Sequence, residues 1–207
     1  MSNIYRLIIF LPFFMLGCAP NVINENKVTQ KIESLDMNIF SQNGDKIYSI
    51  TSPYSTYNNI EHKFQLKKTS INLFEDKEIK YIINSDESTL SDNNKLLKLK
   101  GNVKLKTVKQ NQDVLEGDNF IWNIEETDYL LKGNIRFENN DIILNSAKAK
   151  LSKDDIIEFF NPVKYTVKDK NNKKKSETKA ENAYYNIKTE SLSFGSNDKR
   201  VRSIIYF

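Results

Sequence analysis

Few residues in this chain can do chemistry. It carries one histidine and one cysteine. His62 stands in the polar stretch NNIEHKFQ, and no GxSxG-like elbow elsewhere would strain a serine into position for it. A surface imidazole is the reading its neighbours favour. One Cys and one His are too few for a Cys/His zinc site, and a lone Cys permits no disulfide within the chain. Two carboxylate pairs exist, Glu125–Glu126 and Asp154–Asp155. General acid–base catalysis needs two carboxylates held across a cleft, whereas each pair sits in a predicted turn, where side chains are solvated. No GxxxxGK[ST] motif is present, so any energy the protein uses has to come from a partner. The sequence predicts no catalytic residue, no metal and no cofactor.

The elements that would position a site are strands. Leu35/Met37/Ile39, Tyr48/Ile50, Phe64/Leu66, Ile71/Leu73 and Ile79/Tyr81/Ile83 alternate with polar residues. The alternation continues through Leu97/Leu99, Val103/Leu105, Phe120/Trp122/Ile124, Ile135/Phe137, Ile142/Leu144, Val163/Tyr165/Val167, Ala183/Tyr185/Ile187 and Leu192/Phe194. Period two over many short segments marks half-buried antiparallel sheet. No helix longer than two turns is expected after the N-terminus. The 207 residues suit one all-β domain. A 39% apolar and 28% charged composition fits sheets with one dry and one wet face. The net charge of +4 comes from 31 basic and 27 acidic residues interleaved along the chain, which gives no reason to expect nucleic acid.

Three segments repeat one unit: LKLKGNV (97–103), LLKGNI (130–135) and FFNPV (159–163). Each is read as strand, turn residue and next strand, so Gly101, Gly133 and Asn161 are predicted turns. A repeat near 30 residues built from strands means a rolled or stacked sheet with a long uniform surface. Residues 53–63 are read as a polar connection. The charge run 168–179 (KDKNNKKKSETK) is read as a hairpin loop or disordered insert. The chain ends in VRSIIYF (201–207), a β-prone strand that forms an exposed edge unless it pairs internally, and edges are docking sites. The apolar phase has two open fates: a closed core, or a partly open slot for an apolar ligand.

The N-terminus reads as an address. Residues 7–16 (LIIFLPFFML) are ten apolar residues interrupted by Pro12, too short for a bilayer core that takes about 20. They fit a secretory signal instead, giving 1–17 as signal peptide. Met15-Leu16-Gly17-Cys18 resembles a bacterial lipobox. That resemblance implies cleavage before Cys18 and its acylation as a lipid anchor. An ordinary signal with an incidental Cys is the alternative. Residues 18–34 would then be the lipidated Cys and a polar tether, and 35–207 the folded domain.

The layout of NGDKIYSITSPYS (43–55), INSDESTLSDNNKLLKLKGNVKL (83–105) and GDNFIWNIEETDYLLKGNI (117–135), behind an N-terminal anchor, resembles the LptC family of the lipopolysaccharide export system. The repeat is similar to that of its relatives LptA and periplasmic LptD. The resemblance covers residues 35–150 and then the repeat pattern alone. It implies an antiparallel β-jellyroll, a folded-over V-shaped sheet of about 12–16 short strands whose slot holds acyl chains. The implied function is non-enzymatic. Lipopolysaccharide passes from an inner-membrane ABC transporter (LptB/LptF/LptG-like) toward an LptA-like periplasmic bridge, with the chain held at the periplasmic face of the inner membrane. The chain departs from the family in two places: a lipobox-like Cys replaces an uncleaved transmembrane helix, and the part after Ser146 is longer.

The resemblance also assigns residues. Phase puts Tyr48, Ile50, Leu66, Ile83, Leu99, Val103, Leu105, Phe120, Trp122, Ile124, Ile135 and Phe137 on the apolar face, and these would line the slot. Edge contacts to the partners would come from Leu35, Met37 and Ile39 at one end and Ile204, Ile205 and Tyr206 at the other. An acyl chain in water costs ~0.8 kcal/mol per CH₂, so on the order of 10 kcal/mol for fourteen carbons. Slots stacked through sheet edges would remove that cost along a continuous path. Two rivals stand beside this: a structural or assembly lipoprotein with a closed β core that binds only protein, and a glycan-binding β-repeat protein with exposed aromatics.

Overall fold

The computed structural model describes residues 29–206, apart from 92, 109–112, 126–127, 161, 169–172 and 197–199. Cys18, the signal segment, Asn161 and Glu126 lie outside the described residues. The described chain is all-β, with fourteen strands in one open sheet. Eight come first in meander order: β1 (Thr29–Phe40), β2 (Lys46–Asn58), β3 (Lys63–Glu75), β4 (Glu78–Ser91), β5 (Leu96–Thr107), β6 (Val114–Asn123), β7 (Asp128–Glu138) and β8 (Ile142–Leu151). Six shorter ones follow: β9 (Ile156–Phe160), β10 (Val163–Lys168), β11 (Lys174–Ala180), β12 (Asn182–Asn186), β13 (Ser191–Gly195) and β14 (Arg202–Ile205). Every pairing is antiparallel. This is the antiparallel sheet that the alternation predicted, consistent with the β-jellyroll that the resemblance implied.

The strands are longer than the sequence suggested, and the reason lies at the glycines. β5 runs unbroken through Gly101, and β7 through Gly133. These two residues, predicted as turns, are bulges in mid-strand. Pairing of β5 with β6 steps from Lys100↔Asn119 to Val103↔Gly117, so two residues of β5 oppose one of β6. A similar step separates Asn84 from Glu87, Glu116 from Asn119 and Lys132 from Ile135 on the neighbouring strands. A bulge bends its strand and sharpens the local twist, and here the bulges line up from strand to strand into one corner. Gly101 (φ +76°) and Gly133 (φ +78°) supply the left-handed geometry that L side chains rarely adopt. The repeat in the sequence is therefore a repeat of corners, not of hairpin tips.

The corner folds the sheet into two layers. The first contains the segments before the corner of β1, β3, β5 and β7 and those after it of β2, β4, β6 and β8, extended by β9, β12 and β13. The second contains the other halves, extended by β10, β11 and β14. β9 and β10 are thus the two halves of one interrupted strand, separated only by 161–162, and β11 and β12 are parted only by Glu181. Buried residues from both layers form one hydrophobic core. The period-two phase survives the bend. Leu97, Leu99, Val103 and Leu105 all point inward although the chain turns a corner between the second and third.

Three further expectations are corrected. β1 begins at Thr29, so the last six residues of the predicted 18–34 tether are strand. Their polarity does not prevent this, because an edge strand needs only backbone pairing and Thr29–Glu33 pairs with Tyr54–Asn58. The predicted connection 53–63 shrinks to a turn between Asn58 and Lys63, with the Asn58 side chain accepting from the Ile60 and Glu61 amides. The predicted loop 168–179 includes strand β11, whose Glu177 and Thr178 are buried. Alternation there is carried by charged residues, so the apolar pattern gave no signal.

Candidate functional site

The space between the layers is the part of the fold that repeats along its whole length. The structure brings all twelve predicted lining residues to this interior. Eleven are buried, and Ile124, at a hairpin end, is half-buried. Tyr48, Ile50, Ile83, Val103, Leu105, Ile135 and Phe137 come from the second layer. Leu66, Leu99, Phe120 and Trp122 face them from the first. Aromatic rings meet across the gap: Tyr48 against Trp122 edge-on at 5.1 Å, Phe137 against Tyr185 at 4.6 Å, and Tyr165 against Phe194 at 5.3 Å. The layers are in contact, and the interior is filled by its own side chains. Leu131, Leu144 and Phe159 are equally buried there. None of the three is among the twelve residues that phase assigns to the slot, although Leu144 alternates with Ile142.

One polar atom in this interior stands out. The Trp122 indole N–H is buried with no hydrogen-bond partner among the described residues. Leaving such a donor unpaired costs roughly 1–3 kcal/mol.

Opposite the corner, where the hairpin tips of the two layers meet, a polar seam closes the roll. The Tyr48 hydroxyl donates to the Asn94 carbonyl at 3.3 Å. The Asn139 side-chain amide donates to the Tyr185 hydroxyl at 3.2 Å. Between them sits Asp155, from the β8–β9 turn of the first layer. It accepts from the Tyr81 hydroxyl and pairs with Lys80 at 2.7 Å, both on β4 of the second layer. Lys188, from the turn after β12, adds a third contact at 3.0 Å. The sequence reading put Asp155 in a solvated turn. The structure buries it to 2% exposure, because its cationic partners come from a strand and a turn distant in the chain, Lys80 on β4 and Lys188 after β12. Only Asp154 of that pair is exposed.

The seam perturbs its own ionisations. Burial disfavours the charged Asp155, but the hydrogen bonds from Lys80, Tyr81 and Lys188 outweigh it and hold the carboxyl below its ordinary value. Burial, with Asp155 beside it, pushes the Tyr81 hydroxyl well up. Tyr129 is pushed up to about 12 by burial first and then by the charge of Asp155. Asp113, beside Asn139 and Tyr185, is raised to about 6, by burial and then by Glu190.

The main path through the sheet ends at β1 and β14, and a branch ends at β13, which pairs only with β12. The predicted edge residues lie on or next to β1 and β14. Leu35, Met37 and Ile39 are half-buried on β1, while Ile204, Ile205 and Tyr206 are exposed at β14. His62 is exposed and contacts only the Tyr57 hydroxyl among the polar partners described, at 3.2 Å. Among the described residues, no group of three or more His, Cys, Asp and Glu side chains could hold a metal ion, and no helix is long and apolar enough to cross a membrane.

A family model described as "Lipopolysaccharide-assembly, LptC-related" matches residues 12–130. The match takes in β1 to β6 and the start of β7, including the corner glycine Gly101 but not Gly133. The comparison with curated proteins finds no match.

Proposed function

The chain belongs to the LptC-related family of lipopolysaccharide-assembly proteins, and from that premise we propose that it carries lipopolysaccharide acyl chains between the two layers of its jellyroll. It is a component of lipopolysaccharide transport in the cell envelope. Its work is binding and hand-over: it receives the lipid from an inner-membrane ABC transporter at the β1 edge and passes it to an LptA-like bridge protein at the β14 edge. Acylated Cys18 holds it at the periplasmic face of the inner membrane.

The observation that carries this reading is the continuous apolar interior of an open sheet whose β1 and β14 strands are both unpaired edges. A lipid in such an interior avoids the cost of exposing its chains to water. The unpaired Trp122 N–H supports a ligand with an acceptor, such as the ester or amide carbonyl at the root of an acyl chain. Because the layers touch, loading requires them to part. The corner is continuous backbone in β1 to β8, so parting takes place at the polar seam.

A second reading keeps one observation on its side. An interior filled by its own rings, with Tyr48 on Trp122 and Phe137 on Tyr185, also suits a closed-core assembly lipoprotein that binds only proteins. The test is a photoreactive residue at Phe120, Trp122 or Ile135 in the full chain, exposed to lipopolysaccharide. The carrier reading expects an adduct that unlabelled lipid competes away, and expects Asp155→Asn to increase its yield by loosening the seam. A folded protein that gives no adduct at all three positions establishes the closed core.

A further inference from the structure

The outer face of the second layer carries a row of cations that nothing in the lipid interior explains. Antiparallel register places Arg136 opposite Asn145, Asn145 opposite Lys164, Lys164 opposite Lys179, and Lys179 opposite Arg202. Strands lie ~4.8 Å apart, so the row runs about 19 Å across five strands. Like charges directly opposite one another in a sheet are destabilising, and here three stand side by side. The same row shows the ordinary solution further along. Lys104 is opposite Glu116 and pairs with it at 2.7 Å, and Glu116 is in turn opposite Arg136.

Among the described residues, cations outnumber acids at the cationic end. Arg136 pairs with Glu138 at 2.6 Å, but Glu138 also takes Lys168 at 2.5 Å. Glu177 is shared by Lys164 at 3.3 Å, Lys174, and Lys179 at 3.9 Å. Among the described residues, Glu138 and Glu177 are thus shared by Arg136, Lys164, Lys168, Lys174 and Lys179, with Arg202 at the end of the row. The row borders a cleft of about 1190 Å³ beside the corner. Its walls include Gly133, Ser146 and Ala180, together with Arg136, Lys164, Lys179, Arg200, Arg202 and the acid Glu181.

We propose that this cleft is an anion site that takes phosphate groups, with Lys164, Lys179 and Arg202 as its principal contacts. A ligand bearing two phosphates neutralises the like charges that register forces together, and guanidinium groups match phosphate oxygens in pairs. The site stands on the charge row alone. Identifying its occupant as a phosphorylated lipid headgroup rests on the carrier reading above. The cleft lies on the outer face near the β14 edge, so a headgroup there would be held outside the acyl interior at the exit end of the sheet.

The experiment is calorimetric titration of the full chain in a non-ionic detergent at fixed ionic strength. The probes are inorganic pyrophosphate, a bis-phosphorylated glycolipid, and the same lipid with its phosphates removed. Lys179→Gln/Arg202→Gln is compared with wild type and with Lys104→Gln, which alters the same row at its neutralised end. Lys164 keeps Glu177 in the double variant, and loss of adjacent like charges leaves the melting temperature equal or higher. Tenfold or greater weakening of phosphorylated-lipid or pyrophosphate binding in the double variant alone is the expected result. Pyrophosphate binding as well as the lipid identifies free phosphate as sufficient. Binding of the phosphorylated lipid only identifies the headgroup. No binding of either anion by wild type, equal binding by the double variant, or equal binding of the dephosphorylated lipid overturns the proposal. Crosslinking at Phe120 is unaffected by the double variant, so failure of this site and failure of the lipid interior are separately visible.

Discussion

The Asp118 carboxylate closes over Gly133: a Cβ built on that glycine would lie 2.5 Å from Asp118 Oδ2 and 3.1 Å from its Cβ. Asn134, the next residue, donates to the same oxygen at 2.8 Å. Thirty-two residues earlier, Asp86 stands in the same relation to Gly101 and accepts from Asn102 at 2.7 Å. The unit is an Asp followed fifteen residues later by Gly-Asn. It fixes where each pair of strands bends, and hence where the two layers separate.

Replacing Gly133 with Ala should cost on the order of 2 kcal/mol, because it imposes strain at φ +78° and displaces the Asp118 carboxylate. For a domain of this size that lowers the melting temperature by roughly 4–8 °C. Asp118→Ala alone should cost about 1 kcal/mol for the lost hydrogen bond to Asn134. The double variant relieves the contact but not the backbone strain, so its loss should be smaller than the sum. Thermal melts of the four proteins check this. Additive losses would mean that Asp118 and Gly133 are not in contact.

Stability should vary with pH in two windows of opposite sign. Asp113 has its folded value raised to about 6 by burial and by Glu190. Between about pH 4 and 6 the folded protein then binds the extra proton, so stability falls as pH rises through that range. Asp113→Asn should remove this slope and stabilise the protein at pH 7 by on the order of 1–3 kcal/mol. Asp155 behaves oppositely. Its folded value is depressed by the Lys80, Tyr81 and Lys188 contacts, so its contribution is present above the ordinary carboxylate range and is lost as pH falls below it. Denaturant melts at pH 3, 4.5 and 7.5 separate the two. A Asp113→Asn variant with an unchanged slope between pH 4.5 and 7.5 would put the titrating group elsewhere.

At the far edge, Ile204 and Ile205 are 55% and 62% exposed on β14. Replacing both with Lys should leave folding within ~0.5 kcal/mol, since neither packs in the core. Charged side chains on an edge strand oppose pairing with another sheet. Capture of an LptA-like jellyroll protein should therefore be lost while the melting temperature holds. Undiminished capture would show that β14 is not the docking edge.

The sequence by itself determined which residues face inward. Tyr48, Leu99, Phe120, Ile135 and their companions were legible because strand alternation is local: side chains point to opposite faces whatever the partner strand. That Leu35, Met37 and Ile39 lie on an edge strand was implied by the family resemblance, not by alternation. What only the tertiary structure decided are the relations set by register. Gly101 and Gly133 carry the same local signal whether they turn a hairpin or bend a strand, and the difference lies in what sits opposite, Asp86 and Asp118. Asp155 reads as a solvated turn residue until Lys80 and Tyr81 arrive from β4. Lys164, Lys179 and Arg202 are scattered lysines and an arginine in the chain, and pairing of three strands makes them neighbours. Hydrophobic phase is written residue by residue. Charge placement and corner geometry depend on contacts between distant segments, and only the folded sheet brings those segments together.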